Sequence, residues 1–261
     1  VALVYKFIQQ FYSNIEYYIP DRYDEGYGVS KKGIDYAKEA GVKLIIILDC
    51  GIKAIDEIAY AKSLGIDFII CDHHMPDDEL PPAVAILNPK RADDTYPFKH
   101  LCGCGVGFKF MQAFAKNNGI PFARLIPLLD LCAVSIAADI VPVTEENRIL
   151  AFHGLKTLNQ NPSIGLKAII DICGLGGREI SMSDIVFKIG PRINASGRME
   201  SGRESVDLLV DKDFSHALEK AKHIDSYNDK RKDIDKQMTE DANHIVSRLE
   251  SQRHQSSIVL Y

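Results

Sequence analysis

The chain has 261 residues, of which 46% are hydrophobic and 26% are charged, and its formal net charge is -5 at pH 7. This composition is that of a globular protein with one large or two smaller domains, and it excludes the disordered and fibrous classes. No apolar stretch reaches the roughly 18 residues that span a bilayer and the start lacks a secretory signal, so we expect a cytoplasmic protein that does not associate with membranes.

The first 140 residues alternate between helical and strand-like patterns. Apolar spacing predicts helices over 1–10, 32–40 and 54–64, and strands over 16–19, 44–48, 67–71 and 83–87. Within the longer strands the apolar residues are continuous, which is typical of a parallel sheet with both faces covered. We therefore predict an α/β fold, a parallel sheet with helices on both faces.

From residue 105 onward the pattern is helical, with predicted segments over 105–116, 121–138, 145–159, 164–172 and 183–189. A last segment, 214–249, contains neither proline nor glycine and predicts one helix of roughly 54 Å. Its middle, 225–233, is polar on all sides, as in a helix that bridges two bodies through solvent. We predict a first domain over 1–212, a connecting helix over 213–250, and the start of a further domain over 251–261, with a strand at 257–261.

Metal-capable side chains follow two of the predicted strands. Asp49 comes directly after the first long strand, and Asp72, His73 and His74 come after the next one. Because the carboxyl ends of parallel strands meet at one edge, these side chains are expected to lie close together. An acid beside neutral imidazoles suits manganese, iron or zinc better than calcium. Each feature taken alone has another interpretation: Asp49 as a helix N-cap, and His73 and His74 as part of a solvated loop.

Asp139 interrupts the apolar run 133–141, which otherwise has the composition of a buried segment. A buried carboxylate costs several kcal/mol unless it is paired or bound to a metal. Asp139 is thus a third candidate ligand, and a helix-end cap or a salt bridge to Arg148 is the open alternative.

A predicted loop over 188–199, bounded by glycine and proline, is the densest phosphate-compatible patch. Arginine forks match phosphate oxygens, and glycines let backbone amides approach an anion. Since the net charge is negative, such a local patch or metal ions must hold any polyanion. The alternative is an ordinary basic surface loop. The polar residues concerned are Arg192, Asn194, Ser196 and Arg198.

The sequence resembles the DHH phosphoesterase superfamily and, within it, the single-strand-specific DNA exonucleases. The resemblance rests on five motifs that follow in order along nearly the whole chain: PDRYDEGYG at 20–28, LDCG at 48–51, DHH at 72–74, ADIVP at 138–142 and GPRINASGR at 190–198.

The resemblance implies roles for single residues. Asp49 would bridge two divalent ions and act in catalysis, with His73 and Asp139 as further metal ligands. His74 would be a catalytic residue beside the scissile phosphate, and Asp72 would support the ligands without binding the metal. The DNA backbone would be held by Arg192, Asn194, Ser196 and Arg198.

The implied reaction is 5'-to-3' hydrolysis of single-stranded DNA to mononucleotides with Mn²⁺ or Mg²⁺, in DNA repair and recombination. Single-stranded DNA and other DNA-repair proteins are the implied partners. Two divalent ions are suited to this chemistry because they activate water and neutralise charge on the attacked phosphate.

The sequence also departs from the family pattern. The family's Asp-x-Asp-Gly motif, which supplies further metal ligands, is expected just before a helix such as 1–10, and the chain does not contain it. The second, nucleic-acid-gripping domain with its Gly-Gly-His motif is expected to begin near residue 258. We therefore expect a fragment of a nuclease, truncated at its N-terminus and with little or no activity alone.

Two other functions remain open. A phosphodiesterase of short oligonucleotides or cyclic dinucleotides, or a pyrophosphatase, would share the metal motifs, although segments 20–28 and 190–198 and the long helix favour the exonuclease. A non-catalytic scaffold with the same fold is disfavoured because the chain retains all four candidate residues of the centre: Asp49, His73, His74 and Asp139.

Overall fold

A computed structural model describes residues 1–199 and 201–248. Its strands are β1 (Leu44–Leu48), β2 (Asp67–Cys71) and β3 (Ala85–Leu87). Its helices are, in chain order, α1 (Ala2–Ile8), α2 (Lys31–Glu39), α3 (Ile55–Ser63), α4 (Gly103–Asn117), α5 (Leu129–Ala138), α6 (Glu145–Gln160), α7 (Ile164–Ile172), the single turn α8 (Met182–Asp184), α9 (Gly190–Met199), α10 (Gly202–Leu209) and α11 (Phe214–Arg248).

The three strands form one parallel sheet in the order β1-β2-β3. Leu48 pairs with Cys71, and Cys71 pairs with Leu87, so all three strands end level at the same edge. We call this the carboxyl edge of the sheet. The next residue of each strand therefore emerges at the same height, which decides where the functional side chains lie.

Helices cover both faces of the sheet, which confirms the predicted fold class. On one face, Ile34 of α2 and Ile58 of α3 pack with Phe68 of β2 in one hydrophobic cluster. On the other face, Val4 of α1 and Val106 of α4 belong to the main core, which continues through the helices that follow. Successive strand residues face opposite helix layers, so both faces need apolar side chains.

Two predicted elements are wrong: the strand over 16–19 and the continuous helix over 121–138. Residues 16–19 form no strand, because side chains rather than a backbone ladder hold them: Tyr17 donates a hydrogen bond to Asp207, and Tyr18 donates one to Glu25 at 2.9 Å. The predicted helix over 121–138 is broken into two 3₁₀ turns and α5. Pro127 lies in the second turn, where it supplies no backbone N–H for a continuous helix.

The predicted loop over 188–199 is helical, so that prediction is wrong. A π-helical turn (Ile185–Ile189) leads directly into α9. Pro191 falls in the first turn of α9, a position where helices tolerate proline. Ala195 is fully buried, and tertiary packing therefore overrides the glycine and proline content of this segment.

Helix α11 confirms the predicted long helix as far as Arg248, and residues 249–261, including the predicted strand, lie outside the described residues. The predicted solvent bridge is wrong over 225–228, because Tyr227 and Asn228 are buried against the helical body. The exposed part of α11 begins at Asp229. The domain division near residue 212 stays a prediction. No helix in the described part of the chain is long and apolar enough to cross a membrane.

Candidate metal centre

Three polar residues extend the three strands at the carboxyl edge: Asp49 after β1, Asp72 after β2 and Asn88 after β3. The backbone ladder continues for one more residue, since Asp49 N donates to Cys71 O at 2.8 Å and Asp72 N donates to Leu87 O at 3.0 Å. The sheet itself therefore places Asp49 and Asp72 side by side, as the sequence predicts.

His73 lies at the middle of the centre. Its Nε2 is 3.1 Å from Asp49 Oδ1 and 3.4 Å from Asp139 Oδ2. Its Nδ1 is 3.0 Å from the carbonyl oxygen of Leu101, which accepts a hydrogen only if Nδ1 carries it. This contact leaves the lone pair on Nε2, between two carboxylates, in the arrangement typical of a metal-ligating histidine.

Asp139 follows the last residue of α5 and reaches His73 from the helical side. The expectation that it is buried is wrong, since 37% of its side chain is exposed. The helix end delivers the carboxylate to the rim of the centre, where it remains open to solvent on one side. Structure and sequence agree on its place beside Asp49 and His73.

Asp72 is fully buried and organises the two histidines from behind. Its Oδ1 accepts from His73 N at 2.7 Å and from His74 Nδ1 at 2.7 Å, and its Oδ2 accepts from Ile52 N at 3.0 Å. Burial works to raise the pKa of Asp72, but these hydrogen bonds outweigh it and lower the pKa. Asp72 therefore stays ionised and holds Nδ1 of His74, so that Nε2 of this half-exposed ring is free to face outward.

The backbone of the centre is strained at two non-glycine residues. Asp49 has φ 69° and Ile140, directly after Asp139, has φ 53°. A left-handed conformation is costly for a β-branched residue such as Ile140, whose side chain is also 81% exposed. Strain of this kind concentrates at functional sites, where the surrounding structure holds it in place.

The electrostatics and the donor set fit a divalent metal ion. The nearby Asp49 carboxylate raises the pKa of His73, and burial together with Asp49 raises the pKa of Asp139. The Nε2 atom of His73 is buried and forms no hydrogen bond of acceptable geometry. Ligand atoms of Asp49, His73 and His74 all lie within 4.8 Å of one another. Carboxylate oxygens with imidazole nitrogens suit Mn²⁺ and related transition metals.

Sequence reasoning missed two residues that shape the centre. A Cβ atom at Gly103 would lie only 2.7 Å from Cβ of Asp49 and closer still to its carboxylate, so only glycine lets the start of α4 approach. Asn88 is buried and its Nδ2 donates to the carbonyl oxygen of His74 at 2.8 Å. The place of Asn88 after a predicted strand was a usable signal, whereas nothing near Gly103 in the sequence indicates contact with Asp49.

The structure places the predicted phosphate-binding residues in different surroundings. Arg192 Nε donates to Asp225 Oδ1 at 2.7 Å, and this ion pair joins α9 to α11. Ser196 is fully buried and its hydroxyl lies 2.6 Å from Ser205 Oγ, so it is not available to a phosphate. Asn194 is exposed. Arg198 belongs to α9, but its side chain lies outside the described residues.

A parallel α/β sheet that ends in an acid-and-imidazole cluster defines a metal-binding α/β domain. A family model described as "DHH family, N-terminal domain" matches residues 1–136, which is just over half of the chain. The chain belongs to the DHH family.

Two curated proteins and one crystal structure show which proteins the chain is similar to. The chain is 41% identical to the single-stranded-DNA-specific exonuclease RecJ of Bacillus subtilis over 92% of its own length and 30% of that protein. It is 37% identical to RecJ of Escherichia coli over 92% of its length and 44% of that protein. A crystal structure of exonuclease RecJ bound to manganese matches 91% of this chain and 59% of that one, with a TM-score of 0.82 and 28% identity. The chain thus spans less than half the length of these two curated relatives.

Proposed function

We propose that this chain is part of a metal-dependent exonuclease that degrades single-stranded DNA from 5' to 3' into mononucleotides, in DNA repair and recombination. The observation that carries the proposal is the buried Nε2 of His73, which lacks a hydrogen bond and lies between the carboxylates of Asp49 and Asp139. The similarity to two curated RecJ exonucleases supports the substrate class.

We propose Mn²⁺ or Mg²⁺ as the cofactor, held by Asp49, His73 and Asp139 with His74 at the side. Divalent ions bound there would supply an activated water and neutralise charge on the attacked phosphate. The manganese in the similar RecJ structure supports this assignment. Because the relatives extend far beyond the matched region, the activity is proposed for the full-length protein, with 1–212 as its catalytic part.

The protein's own groups have separate tasks in this proposal. The hydrogen bond from Nδ1 of His73 to Leu101 O fixes the tautomer, so Nε2 is presented without a proton. Asp72 accepts a hydrogen bond from Nδ1 of His74 and thereby fixes the orientation of that ring. The half-exposed ring of His74 is thus held at the opening of the centre, beside the position proposed for the attacked phosphate.

The cysteines support a cytoplasmic location, which we also propose. All six are unpaired thiols, although several lie within the folded core: Cys50, Cys71, Cys102, Cys104, Cys132 and Cys173. Free thiols in this number are typical of a reducing compartment.

A substrate comparison on the full-length protein tests the proposed function. With Mn²⁺ present, we expect long single-stranded DNA labelled at its 3' end to shorten from the 5' end, with mononucleotides as the only small product. Duplex DNA without an overhang should be degraded far more slowly. Faster hydrolysis of dinucleotides or cyclic dinucleotides than of long DNA would instead identify a small-substrate phosphodiesterase.

A further inference from the structure

The segment after β3 is fastened to the metal centre through one side chain. Asn88 donates through Nδ2 to His74 O at 2.8 Å, and its Oδ1 accepts from the backbone N–H of Lys90 at 2.9 Å. Pro89, between them, is buried. Since β3 ends level with the other strands, Lys90 lies three residues beyond the carboxyl edge, just as His74 does after β2. The position of the Lys90 backbone is therefore coupled to that of His74.

Lys90 also differs from neighbouring cations in having no anion of its own. Lys53 pairs with Asp77 at 2.6 Å, and Arg91 pairs with Asp93. Within residues 1–199 and 201–248, the half-buried Lys90 side chain makes no hydrogen bond or ion pair. Its charge nonetheless acts on the centre. The pKa of His73 and the pKa of Asp139 are set mainly by burial and by the neighbouring acids and imidazoles, which raise both overall. Lys90 adds a smaller effect that works to lower both pKa values.

We propose that the ammonium group of Lys90 binds a non-bridging oxygen of the DNA phosphate at the metal centre. This role rests on the proposed function and adds a substrate-binding residue to it. A lysine is suited to the task because it is a compact point charge with three donors. Once cations neutralise Asp49 and Asp139, no acid of the described residues forms an ion pair with Lys90, and an incoming phosphate supplies the missing anion.

In an alternative role, Lys90 only compensates the negative charge of the acids at the centre and makes no contact with the substrate. The two roles predict different results for DNA binding. If Lys90 only offsets the acids, its neutralisation tightens Mn²⁺ binding and leaves DNA binding unchanged. If it binds a phosphate, DNA binding weakens and loses part of its salt dependence.

The test compares Lys90→Gln, Lys90→Arg and the matched control Lys62→Gln in the full-length protein. Lys62 is an exposed lysine in the last turn of α3, at the sheet edge opposite the centre. The probe is a short 5'-phosphorylated oligothymidylate with a fluorophore at its 3' end, bound in the presence of Ca²⁺ to suppress hydrolysis. Binding is followed by anisotropy over a series of salt concentrations, and Mn²⁺ affinity is measured separately without DNA.

We expect Lys90→Gln to weaken oligonucleotide binding about tenfold or more, because a hydrogen bond to a charged group is lost. The slope of log affinity against log salt should fall by about 0.7, the value for one phosphate contact on a single strand. Lys90→Arg should retain most of the affinity, Lys62→Gln should match the wild type, and Mn²⁺ affinity of Lys90→Gln should be equal or higher.

Three results would overturn the proposal. The first is unchanged oligonucleotide affinity and salt slope in Lys90→Gln, which leaves only the offsetting role. The second is a loss shared by Lys62→Gln or accompanied by weaker Mn²⁺ binding, since it reflects a general or structural effect. The third is a wild-type protein that neither binds nor degrades the oligonucleotide, which removes the proposed function itself and is visible before any variant is compared.

Discussion

The carboxyl edge of the sheet and helix α9 both carry polar residues next to apolar segments. They differ in that the edge holds a buried polar atom without a hydrogen-bond partner, whereas the buried polar groups of α9 have partners within the protein. At the edge, Nε2 of His73 has no hydrogen bond and stands between two carboxylates. At α9, Arg192 is paired with Asp225, and Ser196 is hydrogen-bonded to Ser205. The edge leaves the Nε2 atom of His73 unsatisfied for a ligand, whereas Arg192 and Ser196 of α9 use their polar groups to bind helices together.

This difference separates the effects of substitutions in the two regions. Groups without internal partners can be neutralised at little cost to folding, because no native interaction is lost. When a group that has a partner is removed, the partner is left unpaired, and this lowers the free energy of unfolding. We therefore expect activity to depend on the edge and stability to depend on α9.

Asp49→Asn should give the largest effect. Hydrolysis by the full-length protein should fall at least about a thousandfold, since a metal centre supplies several kcal/mol of transition-state stabilisation. The free energy of unfolding should stay equal or rise, because asparagine tolerates the left-handed backbone and repulsion with Asp139 is relieved. Nuclease rates and denaturant unfolding measure the two quantities.

The matched control for this variant is Asp67→Asn, at the exposed start of β2 on the opposite edge of the sheet. It makes the same chemical change and should alter neither quantity. An Asp49→Asn protein that keeps its nuclease activity would favour the scaffold or a centre elsewhere. One that loses activity because it unfolds would show that the edge is structural after all.

Gly103→Ala should have the next largest effect, because its Cβ would meet Asp49. We expect about 1–3 kcal/mol of destabilisation from overpacking. Displacement of Asp49 should cost activity about a hundredfold, as small errors in the placement of reacting groups do. Gly105→Ala is the control, since its Cβ would be no nearer than 3.4 Å to Cys102 Sγ and alanine favours the helix. Equal behaviour of the two variants would refute the steric role of Gly103.

Arg192→Ala tests the other side of the comparison. Loss of a charged hydrogen bond in a mostly buried pair should lower the free energy of unfolding by about 2 kcal/mol. Asp225→Ala should cost a similar amount, and the double variant should cost less than the sum, with a coupling of about 1 kcal/mol. A hundredfold loss of nuclease activity without destabilisation would show that Arg192 serves the substrate, as the sequence suggests, and not the fold.

The sequence predicts what depends on local pattern. The bounds of β1 and β2 are right because unbroken apolar runs end at polar residues, and the metal cluster follows from those ends. The contact of Gly103 with Asp49 is invisible in the sequence because it joins positions far apart in the chain. Helix α9 is missed because the glycines and proline of 190–198 favour a loop, while burial of Ala195 and Ser196 decides for a helix.

Glu146→Gln should give the smallest effect and a pH signature. Glu146 of α6 accepts from Lys109 Nζ at 2.8 Å and from Tyr96 OH at 2.6 Å. Burial works to raise the pKa of Glu146, but the two hydrogen bonds prevail and lower it. A carboxyl whose pKa is lower in the folded state stabilises the protein above its unfolded pKa, and this contribution is lost as pH falls through the folded pKa. At neutral pH we expect the variant to be about 1 kcal/mol less stable.

The difference in stability between wild type and Glu146→Gln should therefore shrink as the pH falls below the ordinary glutamate pKa and vanish once the native carboxyl is protonated. Denaturant unfolding at several pH values measures it, with nuclease activity at neutral pH as the control that should not change. A difference that persists in acid would mean that shape and not charge joins α6 to Lys109 and Tyr96. In that case the paired groups of the helical body would stabilise the fold through packing and not through their charge. Ionisation would then matter for function at the sheet edge and would contribute nothing to stability in the helical body.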